Sequence, residues 1–189
     1  YDVGFCSDPT KLMYNRSVVP VYNDAGTKLV GCMGRSLHNY CPFCKNCHRE
    51  GSVCLPDEGR VQKWLNNKGF QSAYHLYNYW EAKKYILESH TAIIVEGASN
   101  VWRLEQEGIH NSVSIFGSSL SPQQKSKLDK SGAMTIIVLT DNDAAGRIAV
   151  ESITKMCSRQ YKIVSPEFAS NDIDSLGSKE IKELFRSIT

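Results

Sequence analysis

The sequence predicts an α/β protein: a parallel sheet flanked by helices, preceded by a smaller α+β subdomain. Two observations predict it. From residue 91 onward, strand-sized apolar runs alternate with amphipathic stretches, which is typical of a parallel sheet whose crossovers are helices. Before residue 91, a hairpin pattern and a cysteine-rich loop replace that alternation. We therefore expect two domains, residues 1–90 and 91–189.

The N-terminal domain begins with a predicted β-hairpin. Residues 18–22 and 28–33 are β-rich runs, and they flank the turn sequence Asn-Asp-Ala-Gly at 23–26. Residues 74–87 are predicted to form a helix. Its aromatic side chains favour packing in a core over stacking on nucleic-acid bases; they include Tyr74, Tyr77, Tyr79 and Trp80.

The C-terminal domain contains four predicted strands and four predicted helices. The strands are residues 92–95, 113–116, 135–139 and 161–164, and the helices begin near residues 99, 122, 144 and 178. The helix that begins at Pro122 has the clearest signal. A Ser N-cap, a Pro at the first helical position and a Gln at the third form a capping box.

Composition and charge exclude several classes of protein. Hydrophobic residues make up 41% and charged residues 22%, as in ordinary globular chains. No apolar run reaches the roughly 18–20 residues of a membrane span. The net charge is +2, and residues 1–90 carry 11 basic against 8 acidic side chains, a balance too mild to indicate nucleic-acid binding by itself. The chain has no signal peptide and begins with Tyr1, so we expect a cytoplasmic piece of a longer polypeptide.

The cysteines are concentrated in one loop. Four of the seven fall within residues 41–54, namely Cys41, Cys44, Cys47 and Cys54, and His48 is a fifth candidate ligand. A Cys-x-x-Cys pair directs two thiolates at one centre and favours tetrahedral Zn²⁺. An iron–sulfur cluster and free thiols are the alternatives. We expect a structural zinc site that stabilises a polar loop.

Three carboxylates follow predicted strands of the parallel sheet. Glu96 comes directly after residues 92–95, and Asp141 and Asp143 come after residues 135–139. Ligands of open parallel sheets bind beyond the carboxyl ends of the strands. Three like charges at that edge predict a site for Mg²⁺ or Mn²⁺. The alternative is that these acids only cap helices and turns.

These motifs resemble a Toprim domain, the catalytic module of bacterial-type primases, topoisomerases and some nucleases. The resemblance lies in Ile-Ile-Val-Glu-Gly at 93–97 and in Asp-x-Asp-x-Ala-Gly at 141–146. Upstream, Gly-x-x-Gly-Arg-x-Leu at 31–37 and Lys-Trp-Leu-Asn at 63–66 are similar to the catalytic core of DnaG-type DNA primases. The tyrosine-rich sequence is similar to the bacteriophage branch of that family.

The resemblance implies RNA-primer synthesis from ribonucleoside triphosphates on a single-stranded DNA template. It implies that Glu96, Asp141 and Asp143 are the catalytic, metal-binding acids, and that Asp172 is an auxiliary ligand. Asp172 and Asp174 as simple loop residues are the alternative. Asn100 departs from the family, in which an acid is common at that position.

Four residues of the N-terminal domain match positions where the family binds nucleotide phosphates and template. They are Arg16, Arg35, Lys63 and Asn66. The resemblance also implies a replicative helicase, in cis or in trans, and the cytoplasm of a bacterial or phage-infected cell. Two other functions stay open: phosphodiester chemistry of the Toprim nuclease or topoisomerase kind, and a non-enzymatic DNA-binding module like the recombination mediator RecR.

Overall fold

A computed structural model describes residues 1–37, 47–48 and 60–188. The chain divides into two compact units, residues 1–70 and 71–189. The division lies twenty residues before the predicted boundary at 90/91, because residues 76–86 pack with the second unit.

The first unit contains a four-stranded antiparallel sheet in the order β1-β2-β3-β6. The strands are β1 (Gly4–Cys6), β2 (Arg16–Tyr22), β3 (Leu29–Ser36) and β6 (Trp64–Asn66). Two further short strands, β4 (Cys47–His48) and β5 (Arg60–Val61), pair with each other. The hairpin predicted from the turn sequence is therefore confirmed as β2 and β3.

The second unit is built on a parallel sheet in the order β10-β9-β7-β8. Its strands are β7 (Thr91–Val95), β8 (Ser112–Ser114), β9 (Thr135–Leu139) and β10 (Lys162–Val164). Its helices are α1 (Tyr79–Ser89), α2 (Ala98–Glu105), α3 (Pro122–Leu128), α4 (Ala144–Cys157) and α5 (Ser178–Ile188). No helix in the described part of the chain is long and apolar enough to cross a membrane.

The boundary moves because residues 76–86 belong to the core of the second unit. Leu76, Tyr79, Ala82 and Ile86 are at most 4% exposed, and they pack with the apolar residues of β7, β8 and β9. A helix whose apolar side covers one sheet face is buried with that sheet. The core interpretation is thus confirmed for Tyr77 and Tyr79, but it is wrong for Tyr74 and Trp80, which are 50% and 40% exposed.

The predicted helix over 74–87 is correct only from Tyr79 onward. Before it lie a 3₁₀ turn at Ser72–Tyr74 and an isolated antiparallel bridge between Tyr77 and Ser114. Asn78 has a left-handed backbone with a φ of 66°. The backbone hydrogen bonds between Tyr77 and Ser114 hold this segment extended beside β8, so helical periodicity of its aromatic residues is overridden.

Gln124 of α3 connects this irregular segment to the sheet. Its side chain is 1% exposed. Its Nε2 donates to the backbone carbonyls of Ser72, His75 and Ile115 at 3.2, 2.8 and 3.1 Å. Its Oε1 accepts from the N–H of Ser121 at 2.9 Å, which confirms the predicted capping box. One buried amide therefore satisfies polar groups from three segments of the second unit.

We predict that Gln124→Ala lowers the free energy of unfolding by about 2–4 kcal/mol, because it leaves buried carbonyl groups without their donor. Urea unfolding measures the change. The neighbouring Gln123 is exposed, and Gln123→Ala is the matched control, expected to change stability by less than about 0.5 kcal/mol. Equal effects of the two substitutions would contradict the role assigned to Gln124.

Candidate active site

Glu96 and Asp141 meet where two neighbouring parallel strands end. β7 and β9 pair with Val95 opposite Leu139, so Glu96 and Asp141 emerge at the same edge of the sheet. Glu96 Oε1 accepts a hydrogen bond from the backbone N–H of Asp141 at 3.1 Å. The backbone carbonyl of Glu96 accepts from Ser114 Oγ at 2.7 Å and from the N–H of Gly117 at 3.0 Å. The end of β7 is therefore fixed from both sides.

Asp143, which is predicted to bind a metal ion, also caps a helix. It is the N-cap of α4, and its Oδ1 accepts from the N–H of Gly146 at 2.8 Å. Gly146 packs against the Asp141 backbone so closely that a Cβ there would lie 1.8 Å from the Asp141 carbonyl oxygen. Only glycine fits such an approach. The spacing from Asp141 to Gly146 is thus a packing requirement as well as an acidic motif.

A segment from the far end of the chain brings two more acids to this edge. Asn142 holds it: the Nδ2 donates to the carbonyls of Phe168 and Ser170 at 2.6 and 2.8 Å, and the N–H donates to the carbonyl of Asn171 at 2.7 Å. Asp172 follows, and its Oδ1 accepts from the N–H of Ser175 at 2.9 Å. These contacts could not be predicted from the local sequence, because Phe168 and Ser170 lie 26 and 28 positions after Asn142.

The electrostatics of the site show that its acids crowd one another. Burial is the largest cause that raises the pKa of Asp141 to about 6, and the charges of Glu96, Asp172, Asp143 and Asp174 raise it further. The pKa of Glu96 is raised as well. Burial is the largest cause and the charge of Asp143 adds to it, whereas the hydrogen bond from the Asp141 N–H lowers the pKa. Five carboxylates therefore lie close enough to interact.

The donor set fits a hard divalent cation. All the converging side chains are carboxylates, the ligands that Mg²⁺ and Mn²⁺ prefer, and the charges of four of them add to the effect of burial in raising the pKa of Asp141. Among the described residues, no group of three acidic, His or Cys side chains is arranged closely enough to coordinate one metal ion. Mg²⁺ usually keeps several waters and takes only one or two protein carboxylates, so an open arrangement suits it.

The predicted phosphate-binding residues all lie in the first unit. Arg16 differs from the prediction: it is 4% exposed, and its Nη1 donates to the carbonyls of Gly34 and Gln62 at 3.0 and 2.9 Å. Burial and backbone hydrogen bonds give Arg16 a structural role in this unit. Lys63 and Asn66 are exposed, and Arg35 is half-buried.

Arg35 belongs to a row of side chains that crosses the first sheet. Phe5 is opposite Ser17, Ser17 is opposite Arg35, and Arg35 is opposite Trp64. Residues directly opposite in antiparallel strands share a face, and the Arg35 guanidinium lies 5.9 Å from the centre of the Trp64 ring. Phe5 is 58% exposed. The row places a cation between two aromatic rings on one face.

The cysteine prediction lies outside the described residues. Cys41, Cys44 and Cys54 are not among them, and for Cys47 and His48 the description is limited to the short backbone pairing of β4 with β5. The predicted zinc loop therefore stays a prediction.

Comparisons with known proteins match the two units to one kind of protein. Residues 90–165 match the Toprim domain family. The chain is 29% identical over 193 residues to the DNA primase of Aquifex aeolicus (strain VF5), an alignment that covers 95% of this chain and 34% of that protein. The chain thus spans about a third of the length of that relative. A phage origin stays a prediction.

Solved structures of primases have a similar fold. The Aquifex aeolicus primase, with its zinc-binding and RNA polymerase domains, matches with a TM-score of 0.71 and 28% identity, over 95% of this chain and 43% of that one. A DnaG primase catalytic domain bound to ssDNA matches with a TM-score of 0.69 over 98% of this chain and 54% of that one. At 24% identity, the second match concerns the fold alone.

We predict that Asp141→Asn raises the melting temperature at pH 8 in the presence of a chelator. The pKa of Asp141 is about 6 in the folded chain, above its ordinary value of 3.8. Ionised Asp141 therefore destabilises the fold above pH 6, and this cost disappears as the pH falls toward 4. Solvent screening reduces the effect, and we expect about 2–4 °C, the shift that ~1 kcal/mol produces in a chain of this size.

Asp129 provides a control of opposite sign. Although burial raises its pKa, hydrogen bonds from Lys125 and Tyr161 and the charges of Lys125 and Lys130 outweigh burial, so the pKa is lowered. Asp129→Asn should therefore lower the melting temperature at pH 8, with a difference from wild type that narrows in acid. Destabilisation by Asp141→Asn at pH 8 would contradict the crowding of acids at the site.

Proposed function

We propose that this chain, a Toprim-domain relative of DNA primase catalytic cores, synthesises RNA primers on a single-stranded DNA template. The reaction is a metal-dependent nucleotidyl transfer by a DNA-directed RNA polymerase. The observation that carries the proposal is the convergence of carboxylates around Asp141 at the carboxyl edge of the parallel sheet, where burial and then the charges of four neighbouring acids raise the pKa of Asp141 to about 6.

Glu96, Asp141 and Asp143 would hold Mg²⁺ or Mn²⁺, with Asp172 as the auxiliary ligand. A cation bound there supplies polarisation of the α-phosphate and stabilisation of the pyrophosphate leaving group. The chain's own contribution is to fix the acids in place: the Asp141 N–H orients the Glu96 carboxylate, and Gly146 lets α4 begin directly against the Asp141 loop. Glu96 serves either as a ligand or as the acceptor of the 3′-hydroxyl proton.

The first unit supplies the features that nucleic-acid and nucleotide binding requires. Arg35 suits contact with phosphate oxygens, and the exposed Lys63 adds a point charge. Phe5 and Trp64 offer ring faces for stacking on unpaired bases. The similarity to the DNA primase of Aquifex aeolicus supports single-stranded DNA and ribonucleoside triphosphates as the partners of this chain. A replicative helicase in cis or in trans and a cytoplasmic location accompany this role.

We also propose one structural Zn²⁺ in the loop 41–54. Cys41, Cys44, Cys47 and Cys54 would bind it, with His48 as the reserve ligand. Four thiolates in a closed tetrahedral site stabilise a segment too polar to form a core of its own. The loop lies between Arg35 and Lys63, so we take it as an insertion that is separate from the zinc-binding domain of the Aquifex aeolicus primase structure.

The experiment that tests the activity is template-directed incorporation of labelled ribonucleotides on single-stranded DNA, with Mg²⁺ or Mn²⁺ present. We predict that Glu96→Gln and Asp141→Asn each reduce incorporation by more than about 100-fold, because each removes a ligand of the catalytic cation. The exposed Glu88 lies at the end of α1, and Glu88→Gln is the matched control, expected to retain wild-type incorporation.

The same assay separates the other candidate functions. Degradation of the template by the wild-type chain would favour a Toprim nuclease. DNA binding with neither incorporation nor degradation would favour a non-enzymatic module. Near-normal incorporation by Glu96→Gln would contradict the assignment of the active site.

We predict about one zinc ion per chain, measured by elemental analysis of protein purified without added metal. Cys41→Ser and Cys44→Ser, each combined with His48→Ala so that the reserve ligand cannot replace the lost thiolate, should lower the zinc content toward zero, because a structural site left with three ligands no longer closes. Cys6 is a free, half-buried cysteine in β1, and Cys6→Ser should leave the zinc content unchanged. Iron with inorganic sulfide in place of zinc would overturn the assignment.

A further inference from the structure

A single buried amide connects the strand end that carries Glu96 to the segment that carries Asp174. Asn100 lies in the first turn of α2 and is 6% exposed. Its Oδ1 accepts from the N–H of Gly97, the residue after Glu96, at 3.0 Å. Its Nδ2 donates to Asp174 Oδ1, 74 positions further along the chain, at 3.0 Å. Both ends of the amide are therefore occupied.

The two partners fix which way the amide faces. The Gly97 N–H can only donate, and an ionised carboxylate can only accept. The oxygen of Asn100 must then face Gly97, and its nitrogen must face Asp174. A carboxylate at position 100 would still serve Gly97, but it would place two like charges at hydrogen-bond distance.

The segment that carries Asp174 is attached to α2 at a second point. Arg103 donates through Nε and Nη2 to the backbone carbonyl of Leu176 at 3.1 and 3.0 Å. Leu176 and Ile173 are buried at 4% and 1% exposure. Arg103 thus holds the backbone of the segment, whereas Asn100 holds a carboxylate whose residue is itself exposed.

We propose that Asn100 is a positioning residue that holds the Asp174 carboxylate toward the strand end that carries Glu96, where Asp174 strengthens binding of the divalent cation. This inference rests on the metal site of the proposed function. An exposed carboxylate that is already ordered by a buried amide loses little conformational freedom when a cation arrives. Partners of this kind, which orient a metal-binding group, commonly contribute 10–100-fold to metal affinity.

The test is titration of the full chain with Mn²⁺, with free Mn²⁺ measured by electron paramagnetic resonance. Asn100→Ala and Asp174→Asn should each weaken Mn²⁺ binding by about tenfold. The double variant should bind no more weakly than Asp174→Asn alone, because Asn100 acts through Asp174. Wild-type affinity in Asn100→Ala, or a further loss in the double variant, would overturn the inference.

A reversed pair keeps the test available if Asn100→Ala does not fold. Asn100→Asp combined with Asp174→Asn keeps the hydrogen bond and the formal charge but exchanges donor and acceptor. We expect it to melt close to wild type and to bind Mn²⁺ about tenfold more weakly, because the carboxylate then faces Gly97. Unchanged Mn²⁺ affinity in this folded variant would contradict the role of Asp174.

Arg103→Gln is the control for general loosening of the segment. It removes the bonds to Leu176 and should lower the melting temperature, with Mn²⁺ affinity within about twofold of wild type. A tenfold loss in this variant would show that segment order, and not Asn100, sets the affinity. Loss of Mn²⁺ binding in Glu96→Gln with none in Asn100→Ala would reject only this inference. A wild-type chain that binds no Mn²⁺ would reject the metal site with it.

Discussion

The register between β7 and β9 is the constraint on which the rest of the site depends. Val95 lies opposite Leu139, and this pairing alone brings Glu96 and Asp141 to the same edge, close enough for the side chain of one to accept from the backbone of the other. Both strands are buried along their length. A slip of one residue would turn the Glu96 side chain to the other face of the sheet, away from Asp141, so the register of the two strands specifies the position of the acids.

Placing acids together is unfavourable, and polar contacts around the site oppose that repulsion. Asn142 fixes the segment before Asp172 through three carbonyl groups, Asn100 fixes Asp174, and Asp143 is stabilised as a helix N-cap. Hydrogen bonds that involve a charged group contribute more than neutral ones. The irregular loops are thus ordered by polar side chains together with the burial of Ile173 and Leu176.

Much of the second unit could be predicted because its signals are local. The β-branched run 135–139 forms β9 as expected, and the capping box at Ser121 is present. The extended conformation of residues 74–78 could not be predicted, because the bridge between Tyr77 and Ser114 depends on a strand far along the chain. The buried role of Arg16 likewise comes from carbonyl groups brought near by the sheet.

Part of the candidate site could likewise be predicted from the sequence, and part could not. The nearness of Glu96 to Asp141 could be predicted from the sequence, because Glu96 directly follows β7 and Asp141 lies two residues after the end of β9. The contacts of Asn100 and Asn142 span 74 and 26 residues, and no periodicity or composition reports such pairings. The nearness of Asp174 to Asp141 follows from those contacts, so it was equally out of reach of sequence patterns.

The crowding of carboxylates also determines the order in which ligands enter. A nucleoside triphosphate is itself a polyanion, and charges of one sign repel strongly where solvent is partly excluded. If the proposed function is correct, the acids around Asp141 therefore admit a nucleoside triphosphate most readily together with a divalent ion or after one. Nucleotide arriving alone meets the full repulsion of the acids, whereas its metal chelate carries less negative charge and presents a cation to them, so it meets less repulsion. Under the function we propose, the chain discriminates between these two forms of its substrate before any bond is made.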